Sequence, residues 1–323
     1  MTATTSTLPL RPLGNTGLMV TPICVGGAPL GDMPETFAYS APEDLALATI
    51  RATFAGPINF LDTAAIYGYG ESERRIGLVI RELGGLPPGF VLATKADRDP
   101  ETNSFSGEQF KRSVEGSLQR LGLDRLHYVY IHDPEHTTME DIMSPGGALA
   151  VLKSYKEQGV IEHIGMSGGP IKMLIRYLET GEFSAVETHN RYTLLNRSAG
   201  PLLDVATRLG VAVVNAAPYG SGMLAKGPDV YARYAYQDAP PLLVERTRKL
   251  AAVCQEYGVP LAAAALQFSM RDPRVTTTVV GMTKPERVAQ TVALASHPIP
   301  AELWPALDAV GFDAEDPEAN RFK

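Results

Sequence analysis

Eight short runs of β-branched, aromatic or other apolar residues recur along the chain, and helical patterns fill the intervals between them. The runs are 21–27, 58–62, 89–95, 126–133, 161–168, 184–190, 211–218 and 275–282. Several are apolar at nearly every position, as expected of parallel strands covered on both faces. The intervening segments, such as "APEDLALATIRATFAG", "ESERRIGLVIREL" and "RSAGPLLDVATRLG", carry helical spacing, and many close on a glycine that can take the left-handed cap. Alternation of this kind specifies an α/β fold, and eight repeats specify a (β/α)8 TIM barrel, with a doubly wound sheet of similar length as the alternative. No Gly-, Ser- or Pro-rich linker divides the chain, so residues 1–323 read as a single barrel domain. The one long irregular connection, 220–241, follows the seventh run and is expected over the C-terminal face. Its Tyr231, Tyr234 and Tyr236 suggest a structured lid covering the site.

Composition narrows the function. The 323 residues are 45% hydrophobic and carry a formal charge of -7, with Lys and Arg scattered, which argues against nucleic-acid binding. Two cysteines, Cys24 and Cys254, make neither a disulfide framework nor a zinc cluster and suit a reducing cytoplasm. The N-terminal stretch lacks the pattern of a signal peptide, and no apolar stretch reaches the ~20 residues of a membrane span. The expected partner is a small-molecule substrate, for a monomer or weak homo-oligomer.

Polar residues stand at the C-terminal ends of the runs, the end at which barrels carry their chemistry. They are Asp62, Lys95, His132 and Ser167, with Tyr67 in the loop leaving the second run. Singly, Asp62 reads as a turn residue and His132 as a rim histidine. Lys95 at the end of an apolar strand is harder to dismiss, because a buried ammonium needs a partner or a shifted pKa. Together they suggest proton transfer by a phenol whose pKa a nearby ammonium lowers. A carboxylate would hold that ammonium, and an imidazole would orient a substrate oxygen. No metal-ligand spacing, P-loop or GxGxxG after a strand is present. "GMSGG" lacks the partners of a nucleophilic serine.

On "LDTAAIYGYGESE", "ATK" and "YIHD", the chain closely resembles the aldo-keto reductase family, and the likeness runs from "LGNTGLMVTPICVGG" to "GMTKPERVAQ". The resemblance implies a (β/α)8 barrel that binds NAD, or NADP, without a Rossmann fold. It implies a catalytic tetrad of Asp62, Tyr67, Lys95 and His132, with Tyr67 as general acid or base, Lys95 lowering its pKa and Asp62 anchoring Lys95. Hydride would pass directly between substrate carbon and nicotinamide.

Cofactor contacts carry over to Gly26 and Gly27, to Ser167 and Gly168, and to His189. After the seventh run they fall at Ala216, Pro218, Gly220, Gly222 and Leu224, and after the eighth at Gly281, Thr283, Arg287 and Gln290. Some positions depart from the family pattern. Gly168 replaces an asparagine that shares the carboxamide contact with Ser167, and Ala216 replaces an aromatic that stacks on the nicotinamide. A lysine usual in NADP-preferring members is missing near Gly281, which favours NAD. "VGGAPLG" and "THNRYTLLNRSAGPLLDVATRLGVAVVNAAPYGSGMLAKG" are similar to the sugar-oxidising branch. That likeness implies an aldose 1-dehydrogenase converting a cyclic hemiacetal to a lactone. Pyridoxal oxidation, general carbonyl reduction and a non-catalytic redox-sensing role are the alternatives.

Overall fold

The computed structural model describes residues 8–319; part of the N-terminal stretch considered above lies outside them. Eight parallel strands close into a barrel: β1 (Ile23–Gly26), β2 (Phe60–Asp62), β3 (Val91–Ala96), β4 (Leu126–His132), β5 (Ile161–Ser167), β6 (Ala185–His189), β7 (Ala212–Ala216) and β8 (Thr277–Gly281). Each pairs with its sequence neighbours, and β8 pairs with both β7 and β1, which shuts the ring. The doubly wound alternative is thereby excluded, since an open sheet leaves two edges unpaired.

Alternation along each strand divides the core into two shells. Inward side chains, among them Cys24, Phe60, Val91, Ala93, Tyr128, Tyr130, Ala185, Val214 and Val279, fill the barrel. Outward ones, such as Ile23, Leu61, Leu92, Val129, Ile131 and Val186, pack under the helices. Gly165 on β5 shows how the interior is fitted: a Cβ there would lie 2.5 Å from the Tyr130 ring and 2.7 Å from the Tyr128 ring. Two tyrosines therefore occupy space that β5 leaves empty. A short hairpin, Arg11–Pro12 paired with Met19–Val20, plugs the N-terminal end with the fully buried Leu13 and Val20.

Helices follow the strands as the apolar spacing requires: α1 (Glu43–Phe54), α2 (Glu71–Leu83), α3 (Gly107–Leu121), α4 (Ala148–Glu157), α5 (Ile171–Leu178), α6 (Gly200–Leu209), α7 (Pro241–Glu256), α8 (Leu261–Met270), α9 (Glu286–Ala295) and α10 (Leu303–Val310). Ser106 caps α3, its side chain accepting the Gln109 N–H at 3.3 Å. The connection 220–241 is ordered structure: a helical turn at Met223–Lys226, then a hairpin pairing Arg233–Tyr234 with Gln237–Asp238. Its Tyr234 is buried and donates to the Asn190 carbonyl at 2.7 Å, which ties the lid to the end of β6. Among the described residues no helix is long and apolar enough to cross a membrane.

Candidate active site

Lys95 organises the C-terminal mouth of the barrel. Its side chain is fully buried, and its ammonium contacts the Asp62 carboxylate directly and donates to the Thr63 carbonyl at 3.2 Å. It also donates to the Tyr67 hydroxyl at 3.3 Å and lies 3.4 Å from Glu187 Oε1. Burial tends to lower the Lys95 pKa, but Asp62 and Glu187 more than offset that and hold it well above the usual lysine range. The ammonium is therefore fixed as a cation.

Tyr67 reaches this ammonium because its loop turns sharply on glycine. Gly68 has φ 59°, and a Cβ there would lie 2.0 Å from the Gly31 carbonyl oxygen, so only glycine fits. Gly70, also left-handed, precedes α2, whose first turn carries Glu71 and Glu73 at the positive end of the helix dipole. The tetrad's anchor is braced from the other side by Gly27. Its N–H donates to the Asp62 carbonyl at 2.7 Å, and a Cβ at Gly27 would stand 2.8 Å from that oxygen. Gly26 is similarly confined, its Cβ direction 3.0 Å from Val279. Both glycines thus have a packing reason that does not involve a ligand.

The Tyr67 hydroxyl does not have the lowered pKa expected from sequence. Loss of water raises it, the Lys95 charge lowers it, and Asp62 and Glu187 raise it again, leaving it well above the usual tyrosine value. The ammonium acts in the expected direction but is outweighed by burial and a second carboxylate that the motif does not contain.

His132 stands edge-on to Tyr67, ring centroids 5.7 Å apart. Its Nδ1 lies 2.6 Å from Asp97 Oδ1 and its Nε2 3.6 Å from Asp133 Oδ1. Burial lowers its pKa, but Asp133 and Asp97 outweigh that and push it up to about 9. At neutral pH the ring is an imidazolium, a donor on both nitrogens.

Ser167 ends β5, buried beside His132 in the register, and Gly168 follows. Gly168 has a steric cause: a Cβ would lie 2.8 Å from Glu135 Oε2 and 2.9 Å from Pro134 Cδ. Glu135 also accepts the Gly169 N–H at 3.1 Å, so its carboxylate fills the space beside the strand-five serine. His189, at the end of β6, has its Nε2 3.0 Å from Glu318 Oε2. The fully buried Arg191 pairs with the same Glu318 at 2.8 Å and with Asp316 at 2.7 Å. The segment after α10 is thus strapped across the mouth. Between them Asn190, buried and left-handed, leaves both amide atoms without a protein partner.

Ala216 ends β7 and lies beside His189. Tyr219, three residues on, has a buried hydroxyl without a hydrogen-bond partner that lies within the field of Arg287 on α9. Tyr236, at the tip of the lid hairpin, lies 6.0 Å from the His189 ring and close enough to act electrostatically on Tyr67. Pro218, Gly220, Gly222 and Leu224 form the turn into the lid. Gly220 is required because a Cβ would strike the Tyr234 ring at 2.3 Å. Gly281, Thr283, Arg287 and Gln290 line the exit of β8 and the start of α9, with Arg287 and Gln290 exposed. Lys226 of the lid lies 4.1 Å from the Tyr231 ring and 4.9 Å from that of Tyr39, and burial followed by Arg287 lowers its pKa. Two cations are therefore held near each other, and neither has a carboxylate in salt-bridge range among the described residues. A sequence scan misses Lys226 because it approaches from a different loop.

Residues 22–311 match the Aldo/keto reductase family. The chain belongs to the aldo-keto reductases. It is thus a member of an NAD(P)-dependent oxidoreductase family. It is 31% identical to the pyridoxal 4-dehydrogenase of Microbacterium luteolum, over 93% of this chain and 97% of that protein. It is likewise 31% identical to the L-galactose dehydrogenase of Arabidopsis thaliana, over 95% and 91%. Identity to the D-threo-aldose 1-dehydrogenase of a Pseudomonas species is 30%, over 90% and 94%. A holo-form aldo-keto reductase of Bacillus halodurans, 23% identical, shares the fold with a TM-score of 0.78, over 97% of this chain and 99% of that one.

Proposed function

We propose that this aldo-keto reductase oxidises an aldose at C1, converting the cyclic hemiacetal to a lactone with NAD or NADP as hydride acceptor. The observation that carries the reading is the Lys95 ammonium, held by buried Asp62 and donating to the Tyr67 hydroxyl at 3.3 Å beside a cationic His132. The similarity to three relatives named for oxidation of a sugar or of pyridoxal supports the substrate class. In this proposal Tyr67 acts as the general base: its minor ionised form, raised in pKa by burial but favoured by the Lys95 charge, takes the proton of the anomeric hydroxyl. The anomeric hydrogen leaves as hydride, taking the C–H bonding pair, and the carbon becomes the lactone carbonyl. Lys95 stabilises the phenolate, and His132 donates to the substrate oxygen. Pyridoxal as its internal hemiacetal offers the same C–H and O–H and is the second candidate substrate.

The residues present fit a nicotinamide dinucleotide. The orphaned amide of Asn190, next to His189 and Ala216, would hold a carboxamide; Lys226 and Arg287 would hold phosphate. The cofactor, when bound, supplies the two-electron acceptor. Free, buried Cys24 and Cys254 suit a cytoplasmic setting for such an enzyme.

The test is absorbance of reduced nicotinamide with NAD and NADP against L-fucose, D-arabinose, L-galactose, L-glucose and pyridoxal. Turnover of at least one is expected. Tyr67→Phe is expected to abolish it while leaving cofactor affinity nearly intact. No turnover of any substrate, together with no carbonyl reduction, overturns the reading; normal turnover by Tyr67→Phe overturns the role of the phenol.

A further inference from the structure

The barrel mouth carries one carboxylate more than the proton-transfer machinery uses. Glu187 points inward from the middle of β6, between Ala185 and His189, and is 5% exposed. Its Oε1 lies 3.4 Å from Lys95 Nζ, and its Oε2 has no partner. Asp62 already neutralises Lys95 by direct contact. With both carboxylates ionised, the buried cluster would hold a net negative charge that no further protein hydrogen bond on Oε2 offsets, an expensive state in a dry interior. The groups whose fields reach Glu187 are Asp62 on β2, Lys95 on β3, His132 and Tyr130 on β4, Cys24 on β1 and Tyr67 in the loop after β2. Of these only Lys95 and His132 bring positive charge, and Lys95 is shared.

We propose that Glu187 is a proton-holding positioning residue that sets the pH at which Tyr67 changes charge. Protonated, it leaves the Lys95 field directed at the phenol. Ionised, it takes part of that field and adds a negative charge close to the forming phenolate. Burial, with Asp62 next, pushes its carboxyl up to about 8, so the change falls in the range in which oxidoreductases work. No covalent step is involved: Glu187 acts on Lys95 and Tyr67 and touches neither substrate nor cofactor. The motif that identifies the tetrad contains no position on β6 and could not reveal it.

The inference rests on the proposed role of Tyr67, and its experiment separates the two. Infrared spectroscopy of the cofactor-free protein reads Glu187 without turnover. A buried carboxylic C=O band is expected at neutral pH, titrating near 8 and absent from Glu187→Gln. In a second arm the pH profile of kcat/KM for oxidation is compared between the wild type, Glu187→Gln and Glu187→Asp. The neutral isostere removes the opposing charge, so the rising limb is expected to move to lower pH by roughly one unit, about tenfold in phenolate fraction at fixed pH. Glu187→Asp, with its charge retained but drawn back, is expected to fall between. A structural role alone would lower the rate equally at all pH values. Absence of the wild-type band, or unshifted limbs in both variants, overturns the inference; a present band in a chain without sugar turnover counts against the substrate reading alone.

Discussion

Asp97 binds His132 and the Tyr67 loop at once: Oδ1 lies 2.6 Å from His132 Nδ1, and Oδ2 accepts the Ile66 N–H at 2.9 Å. Asp97 is buried, and Gln109 and Ser113 of α3 bond the backbone at that position, so the clamp is fixed to a helix. Asp97→Asn keeps the shape but turns one acceptor into a donor and removes a charge. It is expected to lower kcat/KM by about 10–100-fold, the usual effect of losing such an outer partner. An NMR titration should show the His132 pKa falling from about 9. An unchanged titration would show that Asp133 alone supports the imidazolium.

The same groups set how stability responds to pH. His132 rises from 6.5 to about 9 on folding, so its stabilising effect is fully present below 6.5 and is lost as pH rises through 9. Glu187 rises from 4.5 to about 8, so the folded state also holds that proton more tightly than the unfolded chain and loses relative stability over that range. The signs agree. Urea midpoints are expected to decline from mildly acidic pH to pH 9, and to decline less in Glu187→Gln. A midpoint rising over that range would contradict both assignments.

Lys95→Met tests the ion cluster as a unit. The buried Asp62 carboxylate would lose its cation, and Glu187 its neighbour, and the expected loss is about 3–5 kcal/mol in urea unfolding. The double variant Asp62→Asn/Lys95→Met is expected to recover part of that loss, because it removes the stranded Asp62 charge. Equal destabilisation by single and double variants would indicate a packing effect of Lys95 rather than an electrostatic one.

The sequence carries the barrel because eight apolar runs with intervening helices leave little choice of topology; seven of the strands lie within those runs, and β3 extends one residue past its run, to Ala96. It carries the convergence of Asp62, Tyr67, Lys95 and His132 because each sits at a strand end or in the loop just beyond. Asp97, Glu187 and Glu318 are different in kind. Each is an ordinary acidic residue in the chain, and only closure of the barrel brings it against Lys95, His132 or His189. Gly168 shows the same limit from the other side: the departure is visible in sequence, but its cause, the Pro134–Glu135 turn, is a neighbour only in space.

Lys226 and Arg287 are brought together from the lid and α9, with burial and mutual repulsion lowering the lysine pKa. An anion would relieve that repulsion. Arg287→Ala and Lys226→Ala are expected to weaken NADPH binding about tenfold each, by fluorescence titration, and NADH binding less, with the NADPH effect shrinking at high salt. Equal losses for both cofactors would assign the pair to the pyrophosphate common to them.

Glu318 is the anchor of the strap, 1% exposed and shared by Arg191 at 2.8 Å and His189 at 3.0 Å. The strap is also held by the Asn196 side chain on the Glu315 carbonyl at 2.8 Å and by Gln237 of the lid on the Pro317 carbonyl at 3.4 Å. Glu318→Gln retains hydrogen bonding but removes the charge facing a fully buried guanidinium, leaving Asp316 as its carboxylate partner beside the His189 carbonyl. The expected loss is about 1–3 kcal/mol of stability. Function should respond differently from stability. His189 and the lid hairpin border the mouth, while Lys95 and Tyr67 are held from β2 and β3. The variant is therefore expected to raise KM for the substrate several-fold with little change in kcat, the pattern of lost uniform binding. A fall in kcat at constant KM would instead connect the strap to the chemical step.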